Sequence, residues 1–436
     1  MADTKFASFL YDQGDRITLL KRILTKLGNP DQDFSIIHVC GTNGKGSTSM
    51  MIAACLETMG QKVGLFTSPF IGDQTNSIQI NSQSISQSQL AGLTGLVKNM
   101  MVTPQFANNE LSDFEALFLI AMLYFSNQSV DYVVLECGLG GELDATNAVT
   151  TTQYSIFTEI GLDHVGILGS TIEKITATKS KIMRPGNTTI IAPQHSDAVN
   201  RIIREEARSK GAKVIDAGRF VNVKYQKLNS QLIIDYQTTK LAGTFKFGLI
   251  ADYQLENLRT VLTWLINFFQ SANTTLTIDE ILEHSLSQIS IPGRFEMINE
   301  SPVMIVDGAH NLDGIRSFVD SVNTNFESLK KVIVVGFLKD KDYQDSVDQL
   351  SRIKHATFII SEPANDSRKL SGEQLRQTFY NTTHIKYPVI KDPIDAINAA
   401  KIQSGSLDLV VGSFYLLNPI RTYIKSLEDN THDKTS

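Results

Sequence analysis

The stretch that most constrains this chain is Ile36-Ile37-His38-Val39-Cys40-Gly41-Thr42-Asn43-Gly44-Lys45-Gly46-Ser47-Thr48. An apolar, β-branched run enters a turn with glycines at 41, 44 and 46 around a lysine and a hydroxyl. A helix-compatible run, residues 50–59, follows. That order predicts a strand, a loop whose N–H groups converge on an anion, and a helix whose N-terminus adds partial positive charge. Lys45 is placed to meet terminal phosphates, and Ser47 to ligate Mg²⁺. The spacing departs from the common phosphate-loop pattern. Gly46 separates the lysine from the hydroxyl, and Val39 stands where that pattern has its first glycine. A turn used for packing alone is the competing reading, but three glycines around a lysine favour phosphate.

A chain of 436 residues has room for two or three domains, and 42% hydrophobic with 20% charged residues describes ample core. The formal charge of −6 argues against nucleic-acid binding by charge alone. Cys40, Cys55 and Cys137 are sparse, odd in number and without metal-ligand spacing, which fits a reducing cytosol. The first residues, Met-Ala-Asp-Thr-Lys, carry early charges and no apolar secretory core. No apolar run is long enough to span a bilayer. The expectation is a cytoplasmic protein with neither membrane nor nucleic-acid partner, monomeric by default.

Residues 1–34 read as an amphipathic helical lead-in, with Leu19, Leu20, Ile23, Leu24 and Leu27 at helical spacing. Strands are expected at 62–67 and 131–137, a polar hairpin and helix over 76–110, and a helix over 114–124. Short β-like pieces at 221–225, 232–236 and 244–247 predict an antiparallel patch, and a helix over 253–269 carries Trp264. Pro292-Gly293 marks the domain boundary, dividing the chain into 1–292 and 293–436. Beyond it, strands at 303–306, 332–335, 357–360 and 407–411 alternate with helices and predict a smaller, Rossmann-like doubly wound α/β domain without a dinucleotide fingerprint. The polar tail after Ser426 is expected to fray.

Polar residues at strand exits mark candidate sites, because ligands of parallel α/β sheets gather at strand carboxyl ends. Glu136 ends an apolar strand and precedes Cys137-Gly138-Leu139-Gly140-Gly141, which reads as a metal-ligating carboxylate beside a backbone open to close approach. The bland reading is a loop cap. His164, in Gly161-Leu162-Asp163-His164, is equally compatible with a metal ligand and a structural histidine. Alone, Lys179 reads as a solvated helix lysine and Ser68 as part of a turn. Asp307-Gly308-Ala309-His310-Asn311 is a polar cluster in site position or an Asx-capped turn. Arg294, just past Pro292-Gly293, has the chemistry to reach phosphate. Gly412-Ser413 closes the last strand in the same manner.

These motifs, in this order, resemble folylpolyglutamate synthase and its bifunctional dihydrofolate synthase relatives in the ATP-dependent Mur ligase superfamily. The likeness runs from about residue 15 to 425. It rests on Gly41 to Ser47, Glu136 to Gly141 with Leu143-Asp144-Ala145-Thr146-Asn147, Leu162-Asp163-His164 with Leu168-Gly169, Pro292-Gly293-Arg294-Phe295-Glu296 and Asp307 to Asn311. The inserted Gly46 is that family's form of the loop. The resemblance implies a P-loop-containing, Mur-ligase-like N-terminal domain. It implies that Asn43, Gly44, Lys45, Gly46 and Ser47 hold the ATP phosphates, with Asn257, Arg294 and Asp307 as further ATP contacts. Ser47, Ser68 and Glu136 would ligate Mg²⁺, and Glu136, His164 and Lys179 a second ion, the lysine as its carbamate. His310 and Ser413 match positions near the incoming glutamate, and Lys45, His164, Lys179 and His310 are the expected catalytic set.

The implied reaction is ATP-dependent joining of L-glutamate to a folate through an acyl phosphate, with a hinge at Pro292-Gly293 closing over it. The sequence also departs from the family. Phe70 replaces a histidine, Gln74-Thr75-Asn76-Ser77-Ile78 replaces Phe-Asn-Glu-Arg-Ile, Glu142 replaces an arginine, Thr178 a glutamate, and Tyr253-Gln254 stands for His-Gln. The first three bear on the acceptor and keep two rivals open: an amide ligase with a non-folate acceptor, and an ATP-binding regulatory protein without ligase activity. A small-molecule kinase is third.

Overall fold

A computed structural model describes residues 6, 7, 10, 11, 13–228, 231–300, 302–402 and 407–432. The chain folds into two compact units, one of Met1–Phe247 with Glu256–Ile289, the other of Gly248–Leu255 with Ser290–Ser436.

The first unit is built on an 8-stranded sheet. Its strands are β1 (Ser35–Cys40), β2 (Val63–Phe66), β3 (Ile78–Ile80), β4 (Gln83–Ser84), β5 (Tyr132–Glu136), β6 (Tyr154–Phe157), β7 (Thr188–Ile191) and β8 (Lys213–Asp216), in the order β4-β3-β2-β5-β1-β6-β7-β8. Pairing is parallel from β2 to β8, and β3 and β4 add an antiparallel edge. After β1 the chain goes to one side of the sheet, and after β5 it goes to the other. The exits of β5, β1 and β6 therefore border the switch point, where open α/β sheets place ligands. β1, β5 and β6 are buried almost throughout, as covering on both faces demands, which is why they read as unbroken apolar runs.

The helix Asp113–Asn127 begins with a Ser112/Glu115 capping box, and Glu115 also takes a two-pronged bond from Arg16 at 2.8 and 2.6 Å. The amphipathic lead-in resolves as a helix over Arg16–Lys26, capped by Asp15; residues 1–5, 8, 9 and 12 lie outside the described set. The expected antiparallel patch is a 3-stranded sheet of β9 (Asn222–Leu228), β10 (Gln231–Gln237) and β11 (Ala242–Phe247), ordered β11-β10-β9.

The second unit holds a 5-stranded sheet, β12 (Glu296–Glu300), β13 (Val303–Val306), β14 (Lys331–Val335), β15 (Ala356–Ile360) and β16 (Leu407–Val411), ordered β12-β13-β16-β14-β15. β12 runs antiparallel and the other four are parallel. The last helix, Phe414–His432, continues past Ser426, where the tail was expected to fray. Buried Ile420 and Ile424 anchor its inner face. Residues 433–436 lie outside the described set. No helix among the described residues is long and apolar enough to cross a membrane.

Candidate active site

In the first unit the site is assembled at the exits of β1, β5 and β6. The helix after β1 starts at Lys45, five residues before the apolar run that announces it in the sequence. Gly44 is its cap, with a left-handed φ of 84°. Lys45, Gly46 and Ser47 therefore form the first turn, whose N–H groups have no acceptor within the helix itself. These are the groups a phosphate would meet.

The loop ahead of that turn is clasped by the exit of β6. A β-carbon on Gly41 would stand 1.9 Å from Thr158 Oγ1, so only glycine fits there. The N–H groups of Thr42 and Asn43 both donate to the Glu159 carbonyl, at 2.7 and 3.3 Å. Asn43 Nδ2 donates to Glu159 Oε2 at 3.4 Å, and the Thr42 hydroxyl exchanges bonds with Gly161. Asn43 thus faces Glu159, and the loop's anion donors are those of the helix. Thr158 and Glu159 were missed in the sequence. The available signal was their polarity directly after an apolar strand.

Two ammonium groups meet at one carbonyl. Lys45 Nζ donates to the oxygens of Gly41 and Thr42 at 3.2 and 3.1 Å, and Lys179 Nζ donates to Gly41 O at 2.8 Å. Lys179 is not the solvated helix lysine that its local pattern suggests but is buried in the last turn of the helix Ile172–Ser180. Burial pulls its ammonium below the ordinary lysine value, with Cys40 opposing and the Lys45 charge reinforcing.

Glu136 is buried at the end of β5 and accepts the Ser68 N–H at 3.0 Å. Its Oε2 lies 3.5 Å from where a β-carbon on Gly46 would sit, so the carboxylate lies against the first turn of the helix. Gly141 packs on the Lys179 helix, since a β-carbon there would be 2.7 Å from the carbonyls of Thr178 and Lys179. The loop after Glu136 thereby ties the carboxylate to the helix that carries Lys179. His164 has a left-handed φ of 52° and begins the short helix Val165–Leu168. Its Nε2 lies 3.7 Å from Asp163 Oδ2. Among the described residues no three His, Cys, Asp or Glu side chains form a metal-ligand group on their own. Asn257 lies over the glycine-rich loop, its Oδ1 2.2 Å from the position of a β-carbon on Gly44.

In the second unit the polar residues after β13 divide between structure and site. Asn311 caps the helix Leu312–Phe326 by accepting the Gly314 N–H at 2.8 Å, as the turn reading had it. Ser413 likewise accepts the Tyr415 N–H at 3.2 Å at the head of the last helix. Arg294, Gly308 and His310 gather round Phe414. The guanidinium is 4.6 Å from the ring centroid, the His310 ring 5.9 Å, and a β-carbon on Gly308 would be 2.2 Å from the ring edge. His310 Nδ1 is 2.8 Å from the Gly308 carbonyl, which only accepts, so Nδ1 carries a proton. Asp307 is buried and accepts from the Tyr253 hydroxyl at 2.7 Å and from the N–H groups of Phe295 and Ala309 at 2.9 and 2.7 Å. Burial pushes its carboxyl up, while the Tyr253 bond and the Arg294 charge pull the other way.

Residues 39–265 match the Mur ligase middle domain, and residues 293–414 the glutamate ligase domain of Mur ligases. A dihydrofolate synthase/folylpolyglutamate synthase of Bacillus subtilis is 31% identical over 426 residues, covering 93% of this chain and 94% of that one. The chain belongs to the folylpolyglutamate synthase/dihydrofolate synthase family of Mur ligases. The family fold is equally plain. A folylpolyglutamate synthase from Mycobacterium tuberculosis superposes with a TM-score of 0.86 at 24% identity over 95% of each chain. FolC of E. coli, solved in complex with ADP and without folate substrate, is 26% identical with a TM-score of 0.80, covering 95% of this chain and 94% of its own. The glycine-rich loop lies within the part matched by the middle domain, and Arg294, Asp307, His310 and Ser413 lie within the part matched by the glutamate ligase domain.

Proposed function

We propose that this enzyme is an ATP-dependent carboxylate–amine ligase that joins L-glutamate to a folate, making folylpolyglutamate and dihydrofolate-type products. The carrying observation is the helix opening at Lys45, with Glu136 against its first turn, Asn257 against its cap Gly44 and Lys179 on the Gly41 carbonyl of the loop before it. A carboxylate is a poor acyl donor because oxide would have to leave. Attack of the folate carboxylate on the γ-phosphorus of ATP gives an acyl phosphate and ADP. The N–H groups of Lys45, Gly46 and Ser47 hold the phosphates, and the Lys45 ammonium neutralises charge on the phosphoryl in transit. The glutamate amine, its proton taken at His310 Nε2, then attacks the acyl carbon, and phosphate leaves. Arg294 and Asp307 bind the nucleotide, and Ser413 lies near the glutamate.

Oxygen donors from Ser47, Ser68 and the buried Glu136 carboxylate suit a hard divalent cation such as Mg²⁺. A second ion would draw on Glu136, His164 and Lys179. When bound, Mg²⁺ supplies charge neutralisation to the triphosphate. A low-pKa, buried amine at Lys179 is the form that adds CO₂, and the resulting carbamate would serve as a carboxylate ligand. A reducing cytoplasm suits three free, buried cysteines.

The test is ADP release by purified enzyme with ATP, Mg²⁺ and L-glutamate, against dihydropteroate, folates and unrelated carboxylates. Folate-dependent release with an amide product is expected. Release only with unrelated carboxylates would reassign the acceptor, and ATP binding without release under any acceptor would remove ligase activity.

A further inference from the structure

Tyr253 has no role in the proposed phosphoryl transfer and amide formation. Its hydroxyl donates to Asp307 Oδ2 at 2.7 Å. Tyr253 is half-buried, and desolvation of its hydroxyl first, then the Asp307 charge, raises the phenol well above the ordinary tyrosine value, so it stays a donor throughout the working pH range.

Asp307 is held from three segments. The Phe295 N–H reaches Oδ2 at 2.9 Å from the turn before β12, the Ala309 N–H reaches Oδ1 at 2.7 Å from the loop after β13, and Tyr253 reaches Oδ2 from the first turn of the helix Asp252–Phe269. A carboxylate has about four acceptor positions, so the protein fixes the plane of the group and leaves Oδ1 with capacity for one more donor. Of the three donors, Tyr253 is the only side chain, hence the only one a substitution can remove without altering the backbone.

The backbone that carries Tyr253 is tied down independently of its hydroxyl. The Asp252 N–H donates to Ser321 Oγ at 3.1 Å, and Asn325 Nδ2 donates to the Ile250 carbonyl at 3.2 Å. Ala251 is fully buried in the apolar core of this unit, and Tyr253 packs against that core. Removing the hydroxyl therefore takes away one hydrogen bond and leaves the segment in place.

The geometry points to Tyr253 as a positioning residue for nucleotide binding: its hydroxyl orients the Asp307 carboxylate and keeps it ionised for the ATP or ADP that Asp307 contacts. This rests on the reading of Asp307 as a nucleotide contact. The Arg294 charge also favours the ionised form of Asp307, as the neutral phenol does through its hydrogen bond. A phenol supplies that donor without gaining or losing a proton near neutrality.

The test uses the full-length enzyme and its Tyr253→Phe, Asp307→Asn and double variants, with ADP affinity by calorimetry and steady-state kinetics in ATP. Melting temperatures confirm that each variant is folded. Loss of one charge-assisted hydrogen bond should weaken ADP binding and raise the KM for ATP by about five- to tenfold in Tyr253→Phe, with kcat at saturating ATP nearly unchanged. Asp307→Asn should weaken ADP at least as much, and the double variant should be no worse than Asp307→Asn. If Asp307→Asn weakens ADP while Tyr253→Phe does not, or if the two effects simply add, the positioning role is overturned and the Asp307 reading stands. If Asp307→Asn leaves ADP affinity unchanged, the Asp307 reading fails and the proposal fails with it.

Discussion

Gly44 and Asn257 are pressed together: a β-carbon on Gly44 would lie 2.2 Å from Asn257 Oδ1 and 3.0 Å from its Cγ. The residues are far apart in sequence, yet one caps the phosphate helix and the other covers it. Gly44 also has a φ of 84°, which L side chains rarely adopt. Gly44→Ala should therefore both strain the cap and displace Asn257, lowering kcat/KM for ATP by about 100-fold or more. Adding Asn257→Ala relieves the steric part alone. The double variant should bind ADP better than Asn257→Ala and Gly44→Ala considered as independent losses, which calorimetry on all four proteins measures. Strict additivity would show that the contact carries no coupling.

Among the described residues the Lys45 ammonium bonds loop carbonyls alone, those of Gly41 and Thr42. Little of the fold depends on it, whereas the proposed phosphoryl transfer does. Lys45→Met should reduce kcat by about two to three orders of magnitude. Its stability should stay within about 0.5 kcal/mol of the parent, as for a substitution outside the core. Activity near the parent level would remove the loop from the reaction.

Much of this site was legible because its elements announce themselves locally. The strand into Cys40, the glycines around Lys45 and the carboxylate ending β5 are each visible within a dozen residues. The helix start was not. Gly46-Ser47-Thr48-Ser49 has weak helix propensity, so the apolar run from residue 50 dominates the pattern. Burial of Ser47, Thr48 and Ser49 under the sheet exits sets the true start at Lys45. Pairings across long separations were equally silent. Nothing near Gly41 in sequence signals Thr158, nothing near Asp307 signals Tyr253, and Lys179 looked solvated because its acceptor, the Gly41 carbonyl, is 138 residues away. The antiparallel edge of β3 and β4 and the helix 87–101 emerged as their polar spacing suggested, because a hairpin and a capping box are local.

Lys179 offers a test of the carbamate independent of metal identification. Its amine is buried beside a second lysine, and burial favours the neutral, CO₂-reactive form. Enzyme stripped of bicarbonate by dialysis under inert gas should lose most of its turnover and regain it on adding bicarbonate. A ¹³C-bicarbonate sample should show a carbamate carbon resonance that is missing from Lys179→Arg. Full activity in bicarbonate-free buffer, with no such resonance, would show that the free amine is the working group.

Acid sensitivity should trace to His38. This imidazole is wholly buried in β1, its Nε2 2.9 Å from Thr146 Oγ1 and 3.1 Å from Cys137 Sγ. Burial, aided by the Arg184 charge, pulls its pKa down to about 3. The unfolded chain, with a histidine near its ordinary value of about 6.5, then binds more protons than the folded one between those two values. The sign follows: stability attributable to His38 is complete above about pH 6.5 and is lost progressively as pH falls toward 3. At pH 5 this group alone should lower the unfolding free energy by about 2 kcal/mol relative to pH 7.5. His38→Gln, which keeps a polar side chain of similar reach, should flatten that slope while losing some stability at neutral pH. Urea midpoints of both proteins at pH 7.5, 6 and 5 measure the difference; parallel acid losses in the two would place the sensitivity on other groups, though not on buried Asp144, whose raised carboxyl adds stability as pH falls.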